Sequence, residues 1–292
     1  MEKRRLEELN LLDDFLFQEV VTRGEEGEQF CKLLLSTILK KKIGKVKVIP
    51  QKTVLGRSEK YHGIKIDAYI EADSVDDAKN QNITDVEMRT DIYDIEPNKY
   101  QTNYEAKRAR YYHSLIDAKI LRSGVDYGKL KNVVIIMILP YDPFGKNRMV
   151  YTFENHCKED DTIEYEDGAK TIYLYTRGIE GNPSKDLQNM LKYIEESTQE
   201  NARDENLKKI HEFVEKIRHD EEVGINYMKA FEMEKMYIEQ GMEIGIQALI
   251  LDNIEEHVSS EKILKKLQKR FGLTEEEAKE YYKKFTTEEK EN

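Results

Sequence analysis

Apolar and polar residues follow two periods along the first 180 positions of the chain. Two early segments, 12–21 and 27–44, have apolar residues every three or four positions, which predicts amphipathic helices. The run VVIIMIL at 133–139 is apolar throughout and predicts a strand buried on both faces of a sheet. Apolar and polar residues alternate in five other segments, which predicts strands at 45–55, 60–72, 83–90, 149–155 and 170–176.

A long helix is predicted between these strands, from Asn98 to Leu121. Its apolar and aromatic side chains recur at three- and four-residue intervals, and we expect Tyr111 and Tyr112 to pack in the core. Two strands, a long helix and a buried strand form an α/β core. The pattern therefore predicts a mixed β-sheet flanked by helices.

The character of the chain changes after Pro183, where strand patterns give way to segments rich in Glu, Lys and Met. We predict three regions: an α/β domain at 1–183, a helical extension at 184–250 and a small helical hairpin at 251–292. In the hairpin, Thr274 and Glu277 have the spacing of a capping box at the start of the last helix. The C-terminal helices are expected either to pair with a second copy of the chain or to cover the domain's own sheet.

Composition narrows the function without identifying it. Charged residues make up 36% of the 292 positions, and the formal net charge is -11. This excludes a uniformly basic nucleic-acid binder but not a local basic groove, since phosphate affinity depends on where the cations lie. The two cysteines lack zinc-site spacing. The N-terminus has no signal-peptide pattern and no apolar run approaches membrane-spanning length, so we expect a cytoplasmic protein with no membrane partner.

Candidate chemistry centres on a carboxylate in a predicted strand. Asp67 lies inside the segment 60–72, although Asp is disfavoured in strands. Glu87 and Arg89 share one face of the next predicted strand, and an antiparallel hairpin could bring them beside Asp67. Two carboxylates and a cation would suit Mg²⁺ with a charge stabiliser. A cross-strand ion pair would explain the same residues.

Several segments, in order, resemble the PD-(D/E)XK nuclease family of putative transposases, the recombination-promoting nucleases of the Rpn type. The resemblance covers about residues 10 to 180. It rests on DDFLFQEVV, GIKIDAYIEA, ITDVEMRT, KRARYYHSLIDAKIL, SGVDYGKLKNVVIIMILPYDPFG, MVYTFEN and TIYLYT.

The resemblance implies a restriction-endonuclease-like fold and a metal-dependent DNA endonuclease that hydrolyses phosphodiester bonds in recombination or mobile elements. Asp67 would be the first metal ligand, Glu87 the acidic residue of the second half-motif, and the carbonyl of Met88 a third ligand. The expected metal is Mg²⁺, with Mn²⁺ as a substitute. Arg89 departs from the Lys or Gln of the family and cannot act as a base. The alternative is a weakly active or inactive nuclease-fold module that binds DNA or a protein partner.

Other candidate residues lie on the predicted helices. Arg108 is a candidate phosphate clamp, and His113 a catalytic candidate or an ordinary half-buried histidine. Asp14 and Glu19, on the first helix, are weaker metal-ligand candidates, because an exposed helix face explains both.

Overall fold

The computed structural model describes residues 4–50, 53–54, 64–74, 89–121 and 123–288. The chain divides into two compact units, Met1–Gly224 and Ile225–Asn292. The first unit contains a mixed β-sheet and helices, so the α/β prediction is confirmed. The predicted boundary after residue 183 falls inside this unit.

The described part of the first unit begins with two helices, α1 and α2, and continues through eight strands with one long helix among them. Two further helices, α4 and α5, complete it, and α6 starts at its end. In chain order the elements are α1 (Asp14–Val21), α2 (Gly24–Leu39), β1 (Ile43–Pro50), β2 (Thr53–Val54), β3 (Ile64–Lys65), β4 (Ala68–Ser74), β5 (Arg89–Pro97), α3 (Glu105–Ile120), β6 (Val133–Leu139), β7 (Val150–Glu154), β8 (Ala169–Tyr175), α4 (Lys185–Glu195), α5 (Glu205–Arg218) and α6 (Glu221–Glu255).

Six of these strands form one sheet in the order β1-β4-β5-β6-β8-β7. Strand β6 pairs in parallel with both β5 and β8, while the other pairs are antiparallel. All seven residues of β6 are buried, as its continuous apolar sequence predicts. Ala109, Tyr112 and Ile116 of α3 pack against one face of this sheet.

Helix α3 begins seven residues later than predicted, at Glu105. Asn98 starts the intervening loop, where its side-chain oxygen accepts a hydrogen bond from the N–H of Tyr100 at 3.0 Å. Such a turn competes with a helical start. Tyr112 is buried as expected, but Tyr111 lies on the solvent side of the helix, so that prediction was wrong.

Two predicted strands have different bounds in the structure. The segment 60–72 is not one continuous strand, since β3 ends at Lys65 and β4 starts at Ala68. Strand β5 extends from Arg89 to Pro97, whereas the predicted strand ended at residue 90 and no element was predicted for 91–97. β4 and β5 are antiparallel, as expected, whereas residues 75–88 lie outside the described ranges.

The N-terminal segment is anchored by residues that come much later in the chain. The N–H of Leu11 donates to Ser197 Oγ at 3.0 Å, and the N–H of Ser197 donates to Asn10 Oδ1 at 2.9 Å. The buried guanidinium of Arg218 donates to the carbonyls of Leu9 and Ser197. Helices α4 and α5 therefore belong to the α/β unit and fix the approach to α1.

The second unit contains most of α6 and the hairpin of α7 (Ser260–Phe271) and α8 (Glu275–Glu288). The predicted capping box is confirmed. Glu277 accepts hydrogen bonds from the N–H and hydroxyl of Thr274, both at 2.8 Å, and the N–H of Glu277 donates to Thr274 Oγ1. No helix in the described part of the chain is both long enough and apolar enough to cross a bilayer.

Gly27 marks a close approach between the start of α2 and the end of α1. A Cβ at this position would lie 2.6 Å from the carbonyl oxygen of Val21 and 2.7 Å from that of Val20. Because backbone atoms cannot rotate away, we expect Gly27→Ala to lower the free energy of unfolding by about 1–3 kcal/mol in urea titrations. Gly241→Ala in α6 is the control, since its Cβ would meet open space and alanine favours the helix. Equal effects of the two substitutions would contradict the prediction.

Candidate functional site

Asp67 occupies the break between β3 and β4, where side chains replace the hydrogen bonds of a strand. Its N–H donates to Glu96 Oε1 at 2.9 Å. Gln18 of α1 donates from Nε2 to the carbonyl oxygen of Asp67 at 2.5 Å and to its Oδ1 at 3.2 Å. Both backbone polar groups of Asp67 are thus bonded by side chains, which explains why the strand is interrupted there.

Two more carboxyl groups, those of Asp94 and Glu96, come from neighbouring positions on β5. Residues two apart on a strand share a face, so both side chains lie on the side of the sheet covered by α3. Asp94 pairs in register with Tyr69, and Ile95 with Ala68, which places Glu96 next to Asp67. Asp94 and Glu96 are buried, with 0% and 1% of their surfaces exposed. We refer to Asp67, Asp94 and Glu96 as the carboxylate cluster.

Burial makes the charged forms of this cluster costly. It raises the pKa of Asp94 to about 7, and the charge of Asp67 adds to the rise. It also raises the pKa of Glu96 well above its ordinary value, and the charge of Asp94 contributes. Neither oxygen of Asp94 receives a hydrogen bond from an N–H or hydroxyl group of the described residues. The cluster therefore favours a shared proton or a bound cation over three free charges.

Arg108 of α3 contributes one positive charge to this group. Its Nη2 donates to Glu96 Oε2 at 2.9 Å, and its Nε and Nη2 donate to the hydroxyl of Tyr112 at 3.3 and 3.2 Å. The guanidinium also lies over the Tyr112 ring, 5.2 Å from its centroid. Arg108 is therefore held in place and orients the Glu96 carboxylate.

The loop that follows β5 is tied to the same region. Asn98, two residues beyond Glu96, donates to the hydroxyl of Tyr141 at 3.3 Å. The Tyr141 hydroxyl oxygen lies 3.0 Å from Glu105 Oε1 at the start of α3 and 3.1 Å from the carbonyl oxygen of Tyr100, and its single hydrogen can donate to either acceptor. These bonds hold the loop against the sheet beside the cluster.

Of the residues predicted on the second strand, Arg89 is not brought to Asp67. Arg89 pairs with Ser74, seven residues along β4 from Asp67. At about 3.3 Å per residue, this places the Arg89 backbone on the order of 20 Å away. Arg89 therefore does not complete this site, and the reason is the register of β4 and β5. Glu87, Met88 and the side chain of Arg89 lie outside the described residues.

His113 lies elsewhere on the same sheet face. Its Nε2 is 3.0 Å from Thr171 Oγ1 on β8. Thr171 and Asp94 are in register through Ile135, which separates them by two strand spacings, or about 10 Å. Burial lowers the pKa of His113. The histidine is thus not a member of the carboxylate cluster.

The two candidates on α1 differ in position. Asp14 is exposed, and its carboxylate interacts electrostatically with Lys99 and with Arg108, the residue that binds Glu96. Glu19 forms an ion pair with Arg23 at 3.7 Å. The surroundings of Glu19 include Asp220 from the far end of the unit, so it is not brought to the cluster.

Sequence reasoning missed Gln18, Asp94 and Glu96. A signal was present in DIYDIEP, where Asp94 and Glu96 stand at alternate positions of a segment that also contains Ile92, Tyr93 and Ile95. Two acidic residues at alternate positions of a strand point to the same face. Gln18 had no signal of its own, because its role depends on a residue 49 positions away.

The donor set of the cluster is entirely oxygen, which fits Mg²⁺ or Mn²⁺ better than Zn²⁺. As the side chains stand, the described residues contain no group of three or more His, Cys, Asp or Glu that could hold a metal ion. Mg²⁺ needs only one or two protein carboxylates, with water and substrate oxygens completing its shell. Comparison with protein-family models, with curated proteins and with solved structures gives no match.

Proposed function

We propose that this chain is a metal-dependent DNA endonuclease of the PD-(D/E)XK type, whose site is the carboxylate cluster. The observation that carries the proposal is the position of two buried carboxyl groups, Asp94 and Glu96, beside the partly buried Asp67, at the end of β5 and the start of β4. Buried carboxyl groups with raised pKa values are a costly arrangement that recurs at functional sites. The proposal differs from the sequence-based one in replacing Glu87 by Glu96.

The residues around the cluster suit a cation-binding role. Asp67 and Asp94 would hold the metal, because Asp94 has oxygens that receive no hydrogen bond from a described N–H or hydroxyl donor. A bound Mg²⁺ would supply a Lewis acid for the phosphate and lower the pKa of a water molecule. Gln18 holds Asp67, and Arg108 orients Glu96. With Glu96 as the acidic residue, Asn98 stands where the family has Lys or Gln, and its amide can orient water but cannot take its proton.

Cleavage of supercoiled plasmid by the purified chain with Mg²⁺ or Mn²⁺ tests this proposal. We expect nicking that requires the metal and that falls by at least about a hundredfold in Asp67→Asn, because the metal would lose a charged ligand. Asp161→Asn, in the exposed acidic loop, is the control and should cleave like the wild type. Metal-dependent nicking that is unchanged in Asp67→Asn would contradict the assignment.

A second candidate function is a nuclease-fold module that binds DNA or a protein without cleaving. One observation favours it: both oxygens of Glu96 are already engaged, one by the N–H of Asp67 and the other by Arg108. The same assay separates the two functions. DNA binding without cleavage, together with no heat of Mg²⁺ binding in calorimetry, would favour the binding module.

We also propose that α6 pairs with a second copy of the chain. Large apolar side chains are exposed to solvent along this helix. Exposed apolar surface of this extent is unfavourable in water and marks a site of protein association. The exposed residues are Ile225, Met228, Met233, Met236, Tyr237, Ile238 and Ile244. Two-fold pairing would cover the same patch on both copies and would suit an enzyme that cuts both strands.

Light scattering on the full chain tests the pairing. We expect the mass of a dimer for the wild type and half that mass for the double variant Met233→Glu and Tyr237→Glu, since burying these charges is unfavourable. Lys229→Glu changes the charge of the same helix without removing an apolar group and should remain dimeric. A wild-type chain that stays monomeric at high concentration would contradict the proposal.

A further inference from the structure

A second concave feature lies on the same face of the sheet as the carboxylate cluster. It is a pocket of about 370 Å³ between α3 and the strands β7 and β8. Aromatic rings make up much of its wall, with Phe144 at the centre. The Phe144 ring centroid lies 4.9 Å from that of Phe153 and 5.0 Å from that of Tyr173.

Phe153 leaves an aromatic surface uncovered at the mouth of this pocket. It lies on β7, the edge strand of the sheet, and 48% of its surface is exposed. Tyr173 meets it edge-on at 5.7 Å between centroids, with an interplanar angle of 88°. A ring fixed by such neighbours and open to solvent is a platform on which a flat ligand can stack.

Polar side chains also line the pocket. The Nε2 of His113 lies 3.0 Å from the Oγ1 of Thr171, and both residues belong to the pocket wall. An imidazole and a hydroxyl next to aromatic rings give the wall hydrogen-bonding groups as well as stacking surface, which suits the polar edge and flat face of a heterocyclic base.

The rim of the pocket suits the backbone of a nucleotide. Arg110 of α3 and Asn155, after β7, line it and are both exposed. Guanidinium groups bind phosphate oxygens well. The nearby Glu154 is paired with Lys170, which offsets its negative charge.

The pocket also lies at a useful distance from the carboxylate cluster. Asp94, Ile135, Thr171 and Phe153 occupy one row across four neighbouring strands. Strands are spaced by about 4.8 Å, so Phe153 is about 14 Å from Asp94 along this row. A stacked DNA strand rises by about 3.4 Å per nucleotide and an unstacked strand by more, so this distance spans at most about four nucleotides.

We propose that this pocket holds an unpaired nucleobase of the DNA substrate, a few nucleotides from the phosphate at the carboxylate cluster. This inference rests on the proposed nuclease function and narrows its substrate class. A base stacked inside a duplex has both faces covered by its neighbours, so only an unpaired or turned-out base can lie on the exposed ring of Phe153. The preferred substrate is therefore single-stranded DNA, or duplex DNA with a base turned out of the stack.

The test uses the full chain, without metal, and a single-stranded oligonucleotide that contains 2-aminopurine. Stacking quenches the fluorescence of this base, so we expect quenching that saturates on titration with the wild type. Phe153→Ala should bind about tenfold more weakly and lose the quenching, since one stacked base contributes about that factor. Phe153→Tyr keeps the ring and should restore both. Tyr127→Ala, which removes an exposed ring elsewhere, should behave as the wild type.

The outcomes separate this inference from the proposed function. Equal affinity of the oligonucleotide for the wild type and Phe153→Ala would overturn the proposed base pocket, and so would the absence of quenching by the wild type. Either result would count against the pocket even if the protein cleaves plasmid through Asp67. Quenching that depends on Phe153, in a protein that cleaves no DNA with any metal, supports the base pocket and rejects the nuclease. A duplex of the same sequence that is quenched as strongly as the single strand would overturn the preference for unpaired bases.

Discussion

Glu96→Gln is expected to reduce the rate of Mg²⁺-dependent plasmid nicking by on the order of a thousandfold. Glutamine keeps the shape of the side chain and an oxygen that can accept from the N–H of Asp67, whose bond to Glu96 is 2.9 Å long. It removes the negative charge that balances Arg108 and a metal. Because the substitution also leaves Arg108 without its charged partner, the thermal midpoint is measured for both proteins, and nicking is compared at a temperature at which both are folded.

Glu87→Gln is the matched comparison for this experiment. It makes the same chemical change at the position that sequence reasoning chose for the second carboxylate. If Glu96 is the second carboxylate of the site, Glu87→Gln leaves the carboxylate cluster unchanged and should nick plasmid within about threefold of the wild type. The opposite result, with Glu87→Gln inactive and Glu96→Gln active, would show that Glu87 is the second carboxylate, as the sequence predicts.

Asp94→Asn is expected to stabilise the metal-free protein at pH 8. The folded-state pKa of Asp94, about 7, lies above the ordinary value of 3.8. The unfolded chain therefore releases this proton first as the pH rises, and stability falls between about pH 4 and pH 7. Below pH 4 both states hold the proton, and this loss disappears. The asparagine variant has no such proton and should avoid a loss on the order of 4 kcal/mol at pH 8.

Thermal unfolding at pH 4 and pH 8 measures this difference. For a unit of this size, about 4 kcal/mol corresponds to roughly 8–16 °C in the midpoint. The gain of Asp94→Asn over the wild type should appear at pH 8 and shrink at pH 4, while Asp161→Asn should show no gain at either pH. A wild type that melts at the same temperature as Asp94→Asn at pH 8 would mean that Asp94 is not buried as a carboxyl group. Added Mg²⁺ should raise the midpoint of the wild type more than that of the variant.

The main architecture could be predicted from local patterns, because those patterns record burial directly. The seven apolar residues at 133–139 could be stable only in a strand covered on both faces, and they form β6. Helix α3 was predicted from apolar spacing, but its start was not. Asn98 and the bonds of Tyr141 decide that start, and neither leaves a periodic signal.

The candidate site was predicted only in part, since it depends on contacts between distant positions. Asp67 could be singled out because a carboxylate is unusual in a strand. The strand break around it could not, because it depends on Gln18 and Glu96, which lie 49 and 29 positions away. Glu96 was passed over because acidic residues weaken the strand pattern of 91–97. Its burial follows from packing against α3, which a local pattern does not contain.

The anchoring of the N-terminal segment affects how the protein folds during its synthesis. Leu9 and Leu11 are bonded to Arg218 and Ser197, so α1 and its Gln18 gain their final support only after those residues have been synthesised. At 5–20 residues per second, a ribosome needs on the order of 10–40 s to reach residue 218. During translation the nascent chain therefore carries Asp67 without the support that holds it in the finished fold. A nuclease assembled in this way would become active only when its whole catalytic unit has left the ribosome.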